Sequence, residues 1–288
     1  MNSIWYILAL ASSFVMGIST IWEKKALREE HASAYSSSFS IVTAIISLVF
    51  IPFANFNISP YILAVIYISS IFSTAGYLLN ARTFRHGNIS VSSPIFSSFP
   101  MLFVVIFASV FLGERVKTIQ YVGIASMIIF TYALLFKSDS KEAKSFEKPK
   151  YRYLLILSSL FNAAGAVLMK YALGYVNAFT YIIIAEFFVA VNMNVYMQIK
   201  YNGIREAIGN ILINKKDIIP ISALTTIYRI LYYFSASIIA ISLAAPLRNT
   251  IYVIITTFFG GMFFKEKNLA YKLVFSALIL FSAYLIVV

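Results

Sequence analysis

Residues 88–112, NISVSSPIFSSFPMLFVVIFASVFL, carry no charged side chain from one end to the other. A hydrocarbon bilayer about 30 Å thick is crossed by a helix of roughly 20 apolar residues. This stretch is therefore predicted to span a membrane, and nine stretches of similar character accompany it. The ten predicted spans are 4–22, 34–53, 61–81, 88–112, 119–136, 153–173, 178–199, 218–239, 243–264 and 270–287.

The composition of the chain agrees with a membrane protein. Of its 288 residues, 60% are hydrophobic and only 12% are charged, whereas ordinary soluble domains are roughly 25% charged. The first span has no basic residue before it and no small-residue cleavage site, so we expect it to be retained rather than removed as a secretory signal. The absence of cysteine excludes disulfides, thiolate metal sites and cysteine nucleophiles.

The net charge of +12 is distributed unevenly between the two predicted faces of the membrane. Eighteen lysines and arginines flank the spans on one face, and three flank them on the other. The positive-inside rule then places the basic face in the cytoplasm and both termini outside the cell. No RNA- or DNA-binding motif is present, so we expect membrane lipid as a partner and no nucleic acid.

The second half of the chain repeats landmarks of the first half. Because each half holds five spans, an odd number, the second half would enter the membrane from the opposite side. The sequence therefore predicts an all-α membrane protein of ten transmembrane helices, built as two inverted five-helix repeats, 1–137 and 152–288, with a polar linker at 138–151. A shift of 152 residues pairs Ile89-Ser90 with Ile241-Ser242, Pro94 with Pro246, Phe107 with Phe259, Phe111 with Phe263, Glu114 with Glu266 and Tyr132 with Tyr284, and a shift of 146 pairs Ser12-Ser13 with Ser158-Ser159 and Lys24 with Lys170.

Some of these landmarks resemble the end of an EamA domain of the drug/metabolite transporter superfamily. They are Val91-Ser92-Ser93-Pro94, Pro100, Phe111-Leu112-Gly113-Glu114-Arg115 and Gln120-Tyr121-Val122-Gly123. The second half keeps the proline, as Pro246, and a charged corner, Lys265-Glu266-Lys267. It departs from the pattern in having Lys265 in place of Gly113 and Leu273-Val274-Phe275 in place of Tyr121-Val122-Gly123.

The resemblance implies that the first four spans of each half surround a central cavity, with the fifth span of each half outside. It also implies export, and cytoplasmic termini. The charge distribution favours the opposite placement of the termini, and we follow the charge distribution.

Three charged residues lie inside predicted spans, namely Glu186, Arg229 and Arg248. A charge at the bilayer centre costs on the order of 3 kcal/mol or more, so each should face a cavity or a partner. One interpretation is a structural Glu–Arg pair between helices. The other starts from the surplus of one arginine, which could bind an anionic substrate group through its planar fork of N–H donors. Glu186 is also a candidate for taking up a proton during transport.

Polar and aromatic neighbours of these charges complete the predicted substrate site. Pro94 and Pro246 occupy matching positions and are predicted either as hinges, where a disrupted helix exposes its backbone, or as static kinks. Glu114 and Glu266 are expected to terminate helices and to form local ion pairs. The further candidates for substrate binding are Asn249, Tyr252, Tyr228, Asn162, Trp22 and Tyr77.

Motifs of enzymes are missing from the sequence. The two histidines, His31 and His86, lack metal-ligand spacing, and no phosphate-binding loop, GxSxG or HExxH motif occurs. We therefore expect no enzyme activity and no cofactor. The sequence predicts a secondary transporter of a small polar metabolite, such as an amino acid or an organic acid, and the family resemblance implies that it works as an exporter. An uptake permease, or a scaffold or enzyme embedded in the membrane, remains the alternative, and a homo-oligomer is compatible with the sequence.

Overall fold

The computed structural model describes residues 4–29, 32–86, 89–115, 117–136, 149–200, 203–266 and 268–287. Helix makes up 91% of the structure, and none of the residues in these ranges forms a strand. The helices are α1 (Ile4–Glu29), α2 (Ala32–Ser47, followed by the 3₁₀ turn Leu48–Phe53), α3 (Pro60–His86), α4 (Ile89–Leu112), α5 (Thr118–Phe136), α6 (Pro149–Ala172), α7 (Ala178–Lys200), α8 (Ile204–Ile213), α9 (Lys215–Ile238), α10 (Ile241–Ile255) and α11 (Leu269–Val287).

Each of the ten predicted spans coincides with one of these helices. Seven helical segments are long and apolar enough to cross a membrane: Ile4–Leu27, Ser33–Phe53, Pro60–Arg82, Ser92–Leu112, Ala178–Lys200, Lys215–Ile238 and Ile241–Phe263. Thr118–Thr131, Ile156–Ala172 and Leu269–Leu285 are apolar but shorter. A multi-pass membrane protein is thereby confirmed, whereas the count of ten spans as an inverted repeat stays a prediction.

Two helix boundaries differ from the prediction in ways that matter for the site. Helix α1 continues past residue 22 to Glu29, because charged residues end an apolar stretch without ending a helix, for which Glu and Lys are good formers. Helix α8 is a separate short helix between the predicted spans 178–199 and 218–239. Gly203, just before it, adopts a φ of 72°, in the left-handed region that glycine tolerates best.

Helices from the two halves of the chain pack directly on each other. Helix α1 packs on α9 and α10, α3 packs on α6, α2 on α7, and α5 on α11. Small polar side chains make some of these contacts: the Ser12 hydroxyl donates to the backbone carbonyl of Tyr228 at 2.7 Å, and the backbone N–H of Tyr252 donates to the Ser13 hydroxyl at 2.7 Å. Such residues allow close helix approach where lipid supplies no hydrophobic drive for association.

Helices α5 and α11 lie away from the centre of the bundle. They pack against each other and bury Met127, Leu134 and Ile279. None of the described residues that line the central cavity belongs to either helix. The cavity wall therefore comes from the other long helices, as the family resemblance implied.

Candidate functional site

A cavity of about 260 Å³ lies between helices α1–α4, α6, α7, α9 and α10. Its wall combines charged side chains, amides, hydroxyls and aromatic rings. This volume is close to the lower end of the range of about 300–1,000 Å³ that is usual for small-molecule sites. A space of this size between two sets of helices is suited to a small polar molecule.

Most of the residues predicted to bind substrate line this cavity. Trp22 does not line it, because its indole Nε1 donates to Asp217 Oδ1 at 2.8 Å and so ties α1 to α9 instead. The predicted residues that do line the cavity are Arg248, Arg229, Asn249, Tyr252, Tyr228, Asn162, Tyr77 and Glu186.

Glu186 on α7 and Arg229 on α9 form an ion pair in the cavity wall. One terminal nitrogen of Arg229, Nη1, lies 2.5 Å from each carboxylate oxygen of Glu186. The Glu186 side chain is 2% exposed and that of Arg229 is 19% exposed. Because an unpaired charge buried to this degree is costly, the pair holds the two helices together at this level.

Arg248 on α10 has a different environment. Its guanidinium carbon lies 4.3 Å from the centre of the Tyr232 ring and 5.5 Å from that of Tyr228. Contacts of this kind stabilise the cation through the electron-rich ring faces. The buried Nε of Arg248 has no hydrogen-bond partner among the described residues. Arg248 is therefore held in place by its contacts with the rings of Tyr232 and Tyr228, in the lining of the cavity.

Glu23 on α1 is a cavity residue that the sequence analysis missed. The Tyr77 hydroxyl on α3 donates to Glu23 Oε1 at 2.6 Å, and both side chains line the cavity. The prediction ended the first span at residue 22, although Met16, Thr20 and Glu23 are spaced to share one helix face. This spacing could have indicated that Glu23 lies on the same face of α1 as Met16 and Thr20.

The presence of Glu23 corrects one premise of the predicted site. Glu186 was taken as the sole acidic residue within a span, which left one arginine in surplus. Among the described lining residues, two carboxylates, Glu23 and Glu186, face two guanidinium groups, Arg229 and Arg248. The wall is formally neutral, so a surplus positive charge no longer argues for an anionic ligand.

The two prolines predicted as hinges lie outside the cavity lining. Pro94 and Pro246 are buried within α4 and α10, and both helices continue through them. The backbone irregularity of the second helix lies further along, in the π-helical turn Thr256–Gly260, which leads into the helical turn Gly261–Phe263. The helix is therefore not broken at either proline, and a hinge role for them stays a prediction.

Glu114 and Glu266 cap helices of the opposite half of the chain. Glu114, which follows α4, accepts hydrogen bonds from the backbone N–H groups of Ile241 at 2.9 Å and Ser242 at 3.1 Å, the first two residues of α10. Glu266 accepts one from the N–H of Ile89 at 2.8 Å and another from the Ser90 hydroxyl, at the start of α4. A carboxylate at a helix N-terminus satisfies free N–H groups and complements the helix dipole.

Lys272 adds an ion pair to one of these two caps. Its ammonium lies 3.0 Å from Glu266, and both side chains are 3% exposed. The predicted local ion pairing is therefore present at Glu266. The exchange of caps between the two halves could not be foreseen, because it joins residues more than 120 positions apart.

Removing the Glu114 cap should destabilise the protein. Glu114→Ala leaves the first N–H groups of α10 without their acceptor, and we expect a loss of about 1–2 kcal/mol, measured as a lower melting temperature in detergent. Glu266→Ala should cost more, because Lys272 loses its partner as well. Glu206→Ala, on the partly exposed face of α8, is the matched control and should change stability by less than about 0.5 kcal/mol. An unchanged melting temperature for Glu114→Ala would contradict the capping role.

Comparison with known proteins now bears on this geometry. Residues 3–136 match the model of the EamA-like transporter family. A solved crystal structure superposes on the chain with a TM-score of 0.57 over 96% of each chain at 12% identity, a likeness that shows a shared fold alone. No protein of curated function matches the chain significantly in sequence. The first half of the chain, residues 3–136, thus carries an EamA-like transporter domain, consistent with the drug/metabolite transporter superfamily.

Proposed function

We propose that the chain is a secondary transporter that exports a small polar metabolite by alternating access. The observation that carries the proposal is a central cavity lined by charged side chains and enclosed by helices of both halves. Intramembrane charges are costly and are characteristic of substrate and ion pathways. The match of residues 3–136 to a transporter family supports the same conclusion, while the direction of transport rests on the family resemblance alone.

The mechanism we propose is a rocking of two inverted repeats, 1–137 and 152–288, about the cavity between them. The reciprocal caps support this plan, since Glu114 and Glu266 occupy matching positions and each binds the start of the other half's matching helix. Residues 138–148, which make up most of the proposed linker 138–151, lie outside the described residues. In this plan the two caps join the repeats at corresponding positions.

The proposal is tested by flux in proteoliposomes. The purified protein is first screened by thermal shift against amino acids and organic acids, because a ligand that binds the folded state raises the melting temperature. Each stabilising ligand is then offered as radiolabelled substrate to reconstituted vesicles. We expect saturable flux of at least one of them. A protein that binds ligands but moves none would be a scaffold or an enzyme, and the proposal would be wrong.

The proposed orientation places both termini outside and the linker in the cytoplasm. Three lysines counted for this bias, Lys24, Lys170 and Lys272, are in fact buried or half-buried; Lys170, for example, donates to the carbonyls of Ala236 at 2.7 Å and Ile239 at 2.9 Å. Leaving them out changes the bias little, because the remaining basic residues still favour the same face.

Cysteine labelling checks this orientation without background, since the chain has no native cysteine. Ser140→Cys should stay unlabelled when intact cells are treated with an impermeant maleimide, and it should react after permeabilisation. Prompt labelling of intact cells would reverse the proposed orientation.

A further inference from the structure

Among the described residues, two charges of opposite sign in the cavity wall have no ion-pair partner. Glu186 and Arg229 neutralise each other. Glu23 accepts the Tyr77 hydroxyl, and Arg248 stacks on Tyr232 and Tyr228. Within the described part of the chain, neither Glu23 nor Arg248 has an oppositely charged side chain within 4.0 Å. The cavity thus presents one available carboxylate and one available guanidinium.

The two unpaired groups are supplied by different halves of the chain. Glu23 and its hydrogen-bond donor Tyr77 come from α1 and α3. Arg248 comes from α10, and the tyrosines beneath it come from α9. Each charge is oriented by a tyrosine contact of its own, so neither depends on the other for its position. A ligand that binds both groups would connect the two halves of the bundle.

Electrostatics decides which ligand suits such a cavity. Bringing in a simple anion would compensate Arg248 but leave the Glu23 carboxylate unpaired beside a second negative charge. A simple cation would compensate Glu23 and leave Arg248 unpaired. A molecule carrying both charges compensates both groups at once and leaves the net charge of the site unchanged. In a site of low dielectric this difference is large.

We propose that Glu23, oriented by Tyr77, is a cation-binding subsite, and that the cavity selects a small zwitterion whose ammonium group binds Glu23 and whose carboxylate binds Arg248. The volume of about 260 Å³ suits a small molecule such as an amino acid. The proposal deepens the transport function proposed above and rests on it for the role of the cavity, but binding alone can test it.

The first test uses the full-length protein in detergent and ligands matched in side chain. The standard amino acids are compared by thermal shift with their deaminated carboxylic acids and their decarboxylated amines, for example leucine with 4-methylpentanoate and 3-methylbutylamine. We expect at least one amino acid to raise the melting temperature and to bind about 10- to 100-fold more tightly than either analogue, since each analogue loses one charge-assisted contact. An acid that binds as tightly as its amino acid would overturn the proposal, and so would a failure of every amino acid to bind.

The second test changes the subsite itself. Glu23→Gln keeps the shape of the side chain and an oxygen for Tyr77 but removes the charge, so it should weaken amino-acid binding by about 10- to 100-fold. It should not weaken binding of the deaminated acid, because this anion no longer meets the negative charge of Glu23. Tyr77→Phe should weaken amino-acid binding by a smaller factor. Glu206→Gln makes the same chemical change outside the cavity and should bind like the unmodified protein.

The results of these tests distinguish a failure of the zwitterion subsite from a failure of the transport function. Equal losses for the amino acid and the deaminated acid in Glu23→Gln would mean that the glutamate is structural, and the proposed subsite would be wrong. Saturable flux of an organic anion that is insensitive to Glu23→Gln would refute the zwitterion while leaving transport intact. Binding of a zwitterion without any flux would support the subsite and refute the transport function.

Discussion

Glu186→Gln should be among the most destabilising single substitutions in the cavity. It removes the carboxylate that neutralises Arg229 and leaves a guanidinium that is 19% exposed without its partner. Breaking a buried ion pair from one side typically costs about 3–5 kcal/mol, and we expect the lower part of that range because Arg229 retains some contact with the water of the cavity. The measurement is the melting temperature of the purified variant in detergent.

A double-mutant cycle shows whether the two residues act as a pair. Arg229→Gln should destabilise the protein about as much as Glu186→Gln does. The double variant Glu186→Gln/Arg229→Gln should recover a large part of the loss, because two amides can hydrogen-bond without leaving a charge buried. Independent, additive losses in the double variant would show that the ion pair does not hold α7 to α9.

The same Glu186→Gln variant tests proton coupling, which we propose for this carboxylate. In the structure both of its oxygens are engaged by Arg229, so Glu186 could take up a proton in a state in which Arg229 has moved away. Flux through Glu186→Gln should then lose its dependence on a pH gradient while substrate exchange continues. If flux responds to the gradient as before, Glu186 has no part in coupling.

Arg248→Lys should weaken substrate binding by about 10- to 100-fold with little change in stability. The substitution keeps the charge but removes the planar fork and much of the stacking on Tyr228 and Tyr232. Arg248→Ala should weaken binding further. Because the partner of Glu186 is Arg229 and not Arg248, neither variant should leave a buried carboxylate unpaired.

Affinity and melting temperature have to be measured together for the two Arg248 variants. Normal affinity with a clearly lowered melting temperature would identify Arg248 as a structural residue that packs the tyrosines, and it would remove this residue from the substrate site. Arg205→Lys, at an exposed position on α8, is the control for the loss of a guanidinium and should alter neither quantity.

Long-range contacts explain why the sequence analysis named most of the charged cavity residues but not which of them pair. The sequence does not show which of Arg229 and Arg248 meets Glu186, since each is a single arginine inside an apolar stretch. Which of them meets Glu186 depends on how α7, α9 and α10 are rotated about their axes, and this rotation is set by packing across the whole bundle. The error on Trp22 has the same origin: neighbouring positions on α1 differ by about 100° in direction, so Trp22 meets Asp217 while Glu23 meets the cavity.

The membrane environment, the long helices and the EamA-like character of the first half were predictable from the sequence, because apolar length and local motifs are properties of short segments. The sequence also identified Glu114 and Glu266 as matching helix ends. The packed bundle was needed to show that each glutamate caps the other half's helix, that Glu23 joins the cavity, and that the charges of the cavity wall balance. These features depend on atoms that are distant in the chain and adjacent in space, and no local pattern specifies the orientation that brings them together.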